Sequence, residues 1–74
     1  MQITVKFFAG FREGRFKVRV IELEPGISVA QVVQKYEIPE SEIGILICNG
    51  RHVELTGKLE KGDVLSIFPK VGGG

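Results

Sequence analysis

The chain has 74 residues, a formal net charge of +1, and a hydrophobic share of 43% beside 26% charged residues. A domain this small buries only about 60% of its unfolded surface, which disfavours an enzyme with its own internal cavity, and the composition argues against disorder. One cysteine and one histidine exclude an internal disulfide, a structural zinc site and a four-cysteine iron–sulfur cluster. The sequence has no apolar run long enough to span a bilayer and no signal-peptide pattern, which predicts a cytoplasmic protein without a membrane partner.

Two short strands are predicted at the start of the chain. Residues 2–8 alternate between apolar and polar side chains, which is the pattern of a half-buried strand. After a turn over residues 9–14, Phe16, Val18 and Val20 alternate with Lys17 and Arg19 and predict a second strand. The apolar residues change parity after Val20, which indicates a bulge or the end of the strand.

The predicted hairpin is basic. It carries five cationic side chains against one acidic side chain, namely Lys6, Arg12, Arg15, Lys17 and Arg19 against Glu13. Such a surface can contact an acidic protein or nucleic-acid phosphates, or it can be an ordinary solvated strand face. Because the whole chain is nearly neutral, nucleic acid is the weaker hypothesis and protein docking is the better functional interpretation.

A helix is predicted over residues 29–37. Ser28 and Gln31 have the spacing of a capping box, and Ile27 with Val32 has the spacing of a hydrophobic staple. One apolar stripe at i, i+3, i+4 and i+7 faces the sheet: Val29, Val32, Val33 and Tyr36. Pro39 ends the helix, because the residue before a proline is pushed out of the helical region.

The second half of the chain predicts further strands. Residues 43–48 are apolar on both parities, and Asn49-Gly50 is typical of a type I′ hairpin turn into residues 51–53. A last strand is predicted over residues 64–68, where Leu65 and Ile67 share one face.

The only cysteine and the only histidine lie in this half. Cys48 ends an apolar run and is interpreted as a small buried side chain rather than as a nucleophile. His52 follows the predicted turn and is expected to be exposed. Neither has a visible partner set for a catalytic triad.

The order of elements predicts an α+β protein with the β-grasp, ubiquitin-like fold. We expect a single domain over residues 1–71, with a mixed sheet of four to five strands packed on one main helix and the last strand parallel to the first. Phe8 and Phe68 have the opposite parity to the core residues of those two strands. They should therefore lie side by side on the face away from the helix, together with Thr4, Lys6 and Ser66, and exposed aromatic pairs on small domains usually mark a docking surface.

The sequence given stops on Gly72, Gly73 and Gly74, which predicts a flexible tail over residues 72–74. Without Cβ atoms, this segment can approach another surface closely and present its α-carboxylate there. The four residues from Val71 reach roughly 13–14 Å when extended, enough to enter a partner's cleft. The alternative is an ordinary frayed terminus.

The motifs together resemble the ubiquitin-like sulfur carriers, MoaD and ThiS, over the whole chain. The resemblance rests on these segments: Val5-Lys6-Phe7-Phe8-Ala9, Arg12-Glu13, Asn49-Gly50, Leu59, Gly62-Asp63-Val64, Phe68-Pro69 and Gly73-Gly74. Phe7-Phe8-Ala9 and Phe68-Pro69 are more similar to MoaD, the small subunit of molybdopterin synthase. The short length and third glycine are more similar to ThiS, and Lys70 stands where MoaD commonly has a second proline.

The resemblance implies a carrier cycle in which this chain is not an enzyme and binds no metal or cofactor itself. A MoeB- or ThiF-type adenylating enzyme would use ATP to activate the Gly74 carboxylate, and a sulfur donor would convert it to a thiocarboxylate. The receiving partner would be a MoaE-like large synthase subunit, or thiazole synthase if the chain is ThiS-like. The implied site residues are Gly74 and Gly73 at the reaction site, Gly72 in the tail, and Phe8, Phe68, Pro69 and Arg12 against the partner.

Two other classes remain open. A ubiquitin-like protein modifier would attach Gly74 to a lysine amine of another protein. A nucleic-acid-binding β-grasp module would rely on the basic hairpin and not on the tail. A β-grasp ferredoxin is excluded by the cysteine count.

Overall fold

The computed structural model describes residues 1–71, so the predicted tail, residues 72–74, lies outside the described residues. In chain order the elements are β1 (Gln2–Phe7), a short 3-10 helix (Ala9–Arg12), β2 (Val18–Glu22), α1 (Val29–Lys35), a second 3-10 helix (Glu40–Glu42), β3 (Ile43–Cys48), β4 (Arg51–His52) and β5 (Val64–Pro69). Every strand and the helix predicted from the sequence are present, with ends that differ by one or two residues.

The five strands form one mixed sheet in the order β2-β1-β5-β3-β4. β1 and β5 are parallel, whereas β1 with β2, β3 with β5 and β3 with β4 are antiparallel. The helix α1 buries its apolar stripe in the core of the domain. The predicted α+β, β-grasp architecture is therefore confirmed, with five strands and with the last strand lying parallel to the first.

The core lies on one face of this sheet. Ile3, Val5 and Phe7 alternate inward along β1, and Leu65 and Ile67 do the same along β5. The complete set of buried apolar residues is Ile3, Val5, Phe7, Phe11, Leu23, Val29, Val32, Val33, Ile38, Leu46, Leu59, Leu65 and Ile67. Each such side chain stabilises the fold by about 1.5–3 kcal/mol relative to exposure. Phe11, which the sequence placed in a turn, belongs to this core.

Local signals account for both ends of α1. The Ser28 side chain accepts from the Gln31 N–H and the Gln31 side chain accepts from the Ser28 N–H, so the predicted capping box is confirmed. The helix ends two residues earlier than predicted, because Glu37 adopts a left-handed conformation with φ of 56°. The N–H groups of Glu37 and Ile38 donate back to the carbonyls of Gln34 and Val33, which is a Schellman motif.

Glycine is the usual residue at such a helix end, because a Cβ is strained in the left-handed region. We expect Glu37→Gly to raise the free energy of unfolding by about 1 kcal/mol, measured by urea denaturation. The matched control is Gln34→Gly, an exposed position inside the same helix, which should lower the free energy of unfolding by about 1 kcal/mol. Destabilisation by both variants would contradict the assignment of strain to Glu37.

The orientation of the second strand was not predicted from the alternation of its residues. Val18 and Val20 are not core residues but are 50% and 57% exposed. They pair directly with Lys6 and Thr4 of β1, and directly paired residues point to the same face of a sheet, here the outer one. Phe16 packs against the core. It lies before the start of β2, so the alternation of side chains along that strand does not decide which way it points.

The predicted type I′ turn between β3 and β4 is confirmed. Asn49 and Gly50 have φ values of 53° and 81°, and the flanking residues are paired. The Asn49 side chain also accepts from the Val64 N–H and donates to Asp63, each at 2.8 Å, which links this turn to the start of β5. The Glu60 N–H donates to the Asp63 carboxylate and lowers the pKa of Asp63.

Candidate functional site

Phe8 and Phe68 form a stacked aromatic pair on the outer face of the sheet. Their ring centroids are 4.1 Å apart, with 13° between the ring planes. The Phe8 N–H donates to the Ile67 carbonyl, so the parallel ladder of β1 and β5 brings the two rings to the same end of the sheet. Each ring is half-buried. The predicted adjacency is confirmed, whereas a role in partner binding stays a prediction.

The neighbours predicted for this pair are also present on the outer face. Lys6 pairs directly with Ser66, and Thr4 pairs with Val64, so these side chains share the face that carries the aromatic pair. The outer face therefore combines apolar rings with a cation and hydroxyl groups.

Arg12 lies beside the aromatic pair. Its Nε donates to the Phe7 carbonyl oxygen at 3.0 Å, and its guanidinium carbon lies 5.6 Å from the centroid of the Phe8 ring. This geometry is that of a cation–π contact, and the hydrogen bond restricts the side chain. Arg12 is exposed, so it presents a fixed positive charge at the edge of the apolar surface.

An open groove of about 790 Å³ runs from the aromatic pair to the end of the described chain. We call it the tail-base groove, and its lining residues are Phe8, Ala9, Gly10, Gly44, Ile45, Phe68, Pro69, Lys70 and Val71. Pro69, one of the predicted site residues, forms part of its wall. Val71 is 98% exposed at its end, so the predicted tail begins at this groove. Gly72, Gly73 and Gly74 lie outside the described residues.

Ile45 is a further residue of this surface and was not predicted from the sequence. Ile45 pairs with Phe68 and is 44% exposed, so it extends the apolar surface onto β3. The available signal was the run of apolar residues on both parities in β3, which places apolar side chains on the outer face as well as on the core face.

Three of the five basic residues of the hairpin contact the domain itself, namely Arg12 as described above, Arg15 and Arg19. The Arg15 guanidinium donates to the carbonyl oxygens of Tyr36 and Phe11 at 3.2–3.3 Å. The Arg19 guanidinium lies 4.5 Å from the ring centroid of Phe16. The Arg15 contact with Tyr36 holds the hairpin against the helix end. Together these contacts leave fewer freely solvated cations on the hairpin than the sequence implies. The structure therefore gives little support to a phosphate-binding stripe.

Cys48 and His52 lie away from the aromatic pair. Cys48 is half-buried against the core, and burial together with the neighbouring Asp63 charge raises its pKa to about 11, so the thiol is protonated and unreactive at neutral pH. His52 is exposed on β4. Within residues 1–71, no group of three or more His, Cys, Asp or Glu residues is arranged to hold a metal ion. The same residues include no helix with the length and apolar character needed to cross a bilayer.

A protein-family model matches most of the chain. The model of the ThiS family matches residues 5–74, which include the aromatic pair and the three glycines. The search of curated proteins finds no match.

Three solved structures are similar over nearly the whole chain. A Pyrococcus furiosus protein, described as a candidate molybdopterin converting factor subunit 1, is 27% identical with a TM-score of 0.77, over 96% of this chain and 99% of that one. SAMP1 from Haloferax volcanii is 21% identical with a TM-score of 0.76, over the full length of both chains. A Helicobacter pylori complex of subunits 1 and 2 of molybdopterin-converting factor includes a chain that is 23% identical with a TM-score of 0.67, again over both full lengths. The last two likenesses show the fold alone.

Proposed function

The chain belongs to the ThiS family, and on that premise we propose that it is a cytoplasmic sulfur carrier for molybdopterin biosynthesis. In this proposal the carboxylate of Gly74 is adenylated, converted to a thiocarboxylate, and used as the sulfur donor. The observation that carries the proposal is the family match over residues 5–74, which spans both the outer aromatic surface and the glycine segment. The chain acts as a carrier rather than as a catalyst.

The proposed chemistry takes place in partner enzymes. A carboxylate oxygen of Gly74 attacks the α-phosphorus of ATP held by a MoeB- or ThiF-type enzyme, a new P–O bond forms, and pyrophosphate leaves. Hydrosulfide, supplied by the sulfur donor, then attacks the carbonyl carbon, a C–S bond forms, AMP leaves with the bonding electrons of the C–O bond, and the sulfur loses its proton. The product is ionised at neutral pH and nucleophilic, for the same reason that thiolates are. Cys48 takes no part, since its raised pKa keeps the thiol protonated.

The tail-base groove supports a docking role for the aromatic pair. Phe8 and Phe68 present stacked rings beside the point where the chain leaves the domain, and Pro69 and Arg12 border them. A partner that holds these groups would bring its own active site within reach of a short extended tail. Aromatic and arginine side chains are also the residue types that most often carry binding energy at interfaces.

Molybdopterin synthesis is preferred over thiazole synthesis for two reasons. The segments Phe7-Phe8-Ala9 and Phe68-Pro69 resemble MoaD, and the Pyrococcus furiosus relative is described as a molybdopterin converting factor subunit. The receiving partner would then be a MoaE-like large subunit, in line with the Helicobacter pylori complex of subunits 1 and 2. Thiazole synthase is the receiving partner in the ThiS-like alternative.

Reconstitution tests this proposal. Purified protein, whose intact mass must show Gly74 as the last residue, is incubated with a MoeB-type enzyme, ATP and sulfide. The expected result is an ATP-dependent mass increase equal to the exchange of one oxygen for one sulfur. If the mass of the protein stays unchanged with an enzyme that does convert a MoaD control protein to its thiocarboxylate, the proposal is wrong. Lysines carrying diglycine remnants in cell extracts, without any thiocarboxylate, would instead identify a protein modifier.

The same loaded protein distinguishes the two pathways. We expect it to bind a MoaE-type subunit and to form dithiolene on a pterin precursor. Binding to thiazole synthase alone would transfer the assignment to the ThiS-like alternative.

A further inference from the structure

The pairing of β3 with β5 is irregular where the chain leaves the sheet. Ile45 pairs with Phe68 but Ile43 pairs with Pro69, so β3 advances two residues while β5 advances one. Gly44 is the extra residue of this β-bulge. One position later, the Lys70 N–H donates to the Glu42 carbonyl oxygen at 3.0 Å.

This hydrogen bond is the last backbone anchor of the C-terminal segment within residues 1–71. Pro69 has no N–H to contribute to the ladder. If the Lys70 bond were lost, the backbone of Pro69 and Lys70 would therefore no longer be held to β3 by this bond. Each additional residue that a partner must order costs backbone entropy, so the anchor shortens the segment that has to be ordered.

Gly44 makes this close approach possible because it lacks a Cβ. A Cβ at this position would lie 2.6 Å from the Pro69 carbonyl oxygen and 2.9 Å from both the Pro69 carbonyl carbon and the Lys70 Cα. All three neighbours are backbone atoms, so they cannot rotate away as the end of a side chain would. The φ of Gly44 lies outside the left-handed region, so the requirement is for space and not for an unusual backbone conformation.

We propose that Gly44 is a positioning residue that fixes where and in which direction the chain leaves the domain at Val71. The proposal rests on the function given above, in which the Gly74 carboxylate must reach the α-phosphorus of ATP in a partner's cleft. A methyl group on residue 44 displaces Pro69 and Lys70 and releases the Lys70 anchor. The carboxylate then reaches the reacting position less often, although the aromatic pair that contacts the partner keeps its composition.

The test compares Gly44→Ala with Gly10→Ala. Gly10 lines the same groove, has an ordinary φ, and a Cβ there meets no atom within 4 Å, so it controls for an added methyl group in the groove. In Gly44→Ala we expect faster hydrogen exchange at the Lys70 amide, and an adenylation kcat about tenfold lower with little change in KM. Gly10→Ala should leave the exchange rate of the Lys70 amide at the wild-type value, and Thr56→Ala, at an exposed position outside the groove, should keep the wild-type kcat.

A second variant avoids the steric clash, in case Gly44→Ala folds poorly. Lys70→Gly keeps the N–H donor but loosens the backbone at the anchor, so it should show the same two changes with smaller amplitude. Unchanged exchange at residue 70 in Gly44→Ala would overturn the proposal. A lower melting temperature with unchanged kcat at saturation would also overturn it, because that result indicates packing alone.

The two proposals fail separately. If the wild-type chain is not adenylated at all, the sulfur-carrier function is wrong. The Lys70 exchange rate still decides whether Gly44 fixes the exit of the C-terminal segment, because that measurement needs no partner.

Discussion

Deleting Gly73 and Gly74 is expected to abolish sulfur loading while leaving the fold intact. The shortened chain still ends on a carboxylate, now at Gly72, so the chemical group is retained and only its reach changes. Two extended residues account for roughly 7 Å, which is far more than the approach distance between reacting atoms tolerates. The buried apolar side chains that the structure describes belong to residues 3–67, so the deletion removes none of them.

The measurement is the yield of thiocarboxylate by intact mass after reaction with the adenylating enzyme, ATP and sulfide. Circular dichroism and the melting temperature should match the full-length protein. Gly72→Ala is the matched control, because it alters the same segment but keeps its length, and it should still be loaded. Full loading of the deletion variant would show that the reactive group is elsewhere.

Phe68→Ala should weaken binding to the adenylating enzyme more than it destabilises the domain. A central aromatic side chain at an interface typically contributes 2 kcal/mol or more, so the affinity should fall about 30-fold. The stability loss should be smaller, because Phe68 is half-buried on the outer face and its stacking on Phe8 is worth about 0.5–1.5 kcal/mol. Titration calorimetry gives the affinity and thermal unfolding gives the stability.

Val20→Ala is the control for this experiment. Val20 is exposed on the same face of the sheet but does not line the tail-base groove, so its truncation should leave the affinity unchanged. The variant that combines Phe8→Ala with Phe68→Ala should lose less affinity than the sum of the two single losses, because each ring positions the other. A large fall in melting temperature with nearly normal binding would assign Phe68 to structural support instead.

Features that depend on neighbouring residues were predictable. The alternation in β1, the Ser28 capping box and the Asn49-Gly50 turn each depend on a few consecutive residues, and each is present as predicted. The stacking of Phe8 on Phe68 was predictable too, because it needs only the parity of two strands and their parallel pairing. The residues alone thus indicated the fold class and the aromatic pair on the outer face of the sheet.

Other features depend on how distant segments pair. Val18 and Val20 face outward because their register with β1 places them opposite Lys6 and Thr4, and their own alternation predicts the inward face equally well. The bulge at Gly44 is defined by how β3 pairs with Pro69 of β5. A single glycine in an apolar run does not predict that pairing. In the sequence nothing distinguishes Arg15 from an exposed basic residue. Only in the folded domain does its guanidinium donate to the Tyr36 carbonyl oxygen at the end of α1.

The difference between the features that the sequence predicts and those that it does not has a physical cause. Helix caps, tight turns and the alternation of side chains along a strand each depend on residues within a few positions of one another. A short stretch of sequence is therefore enough to predict them. Register, bulges and the partners of long side chains are decided by contacts between residues far apart in the chain, where several pairings satisfy the same local pattern. Amino-acid order therefore determined the elements, their turns and the aromatic pair of this protein, whereas tertiary packing alone decided which valines are exposed and how the chain leaves the sheet after Pro69.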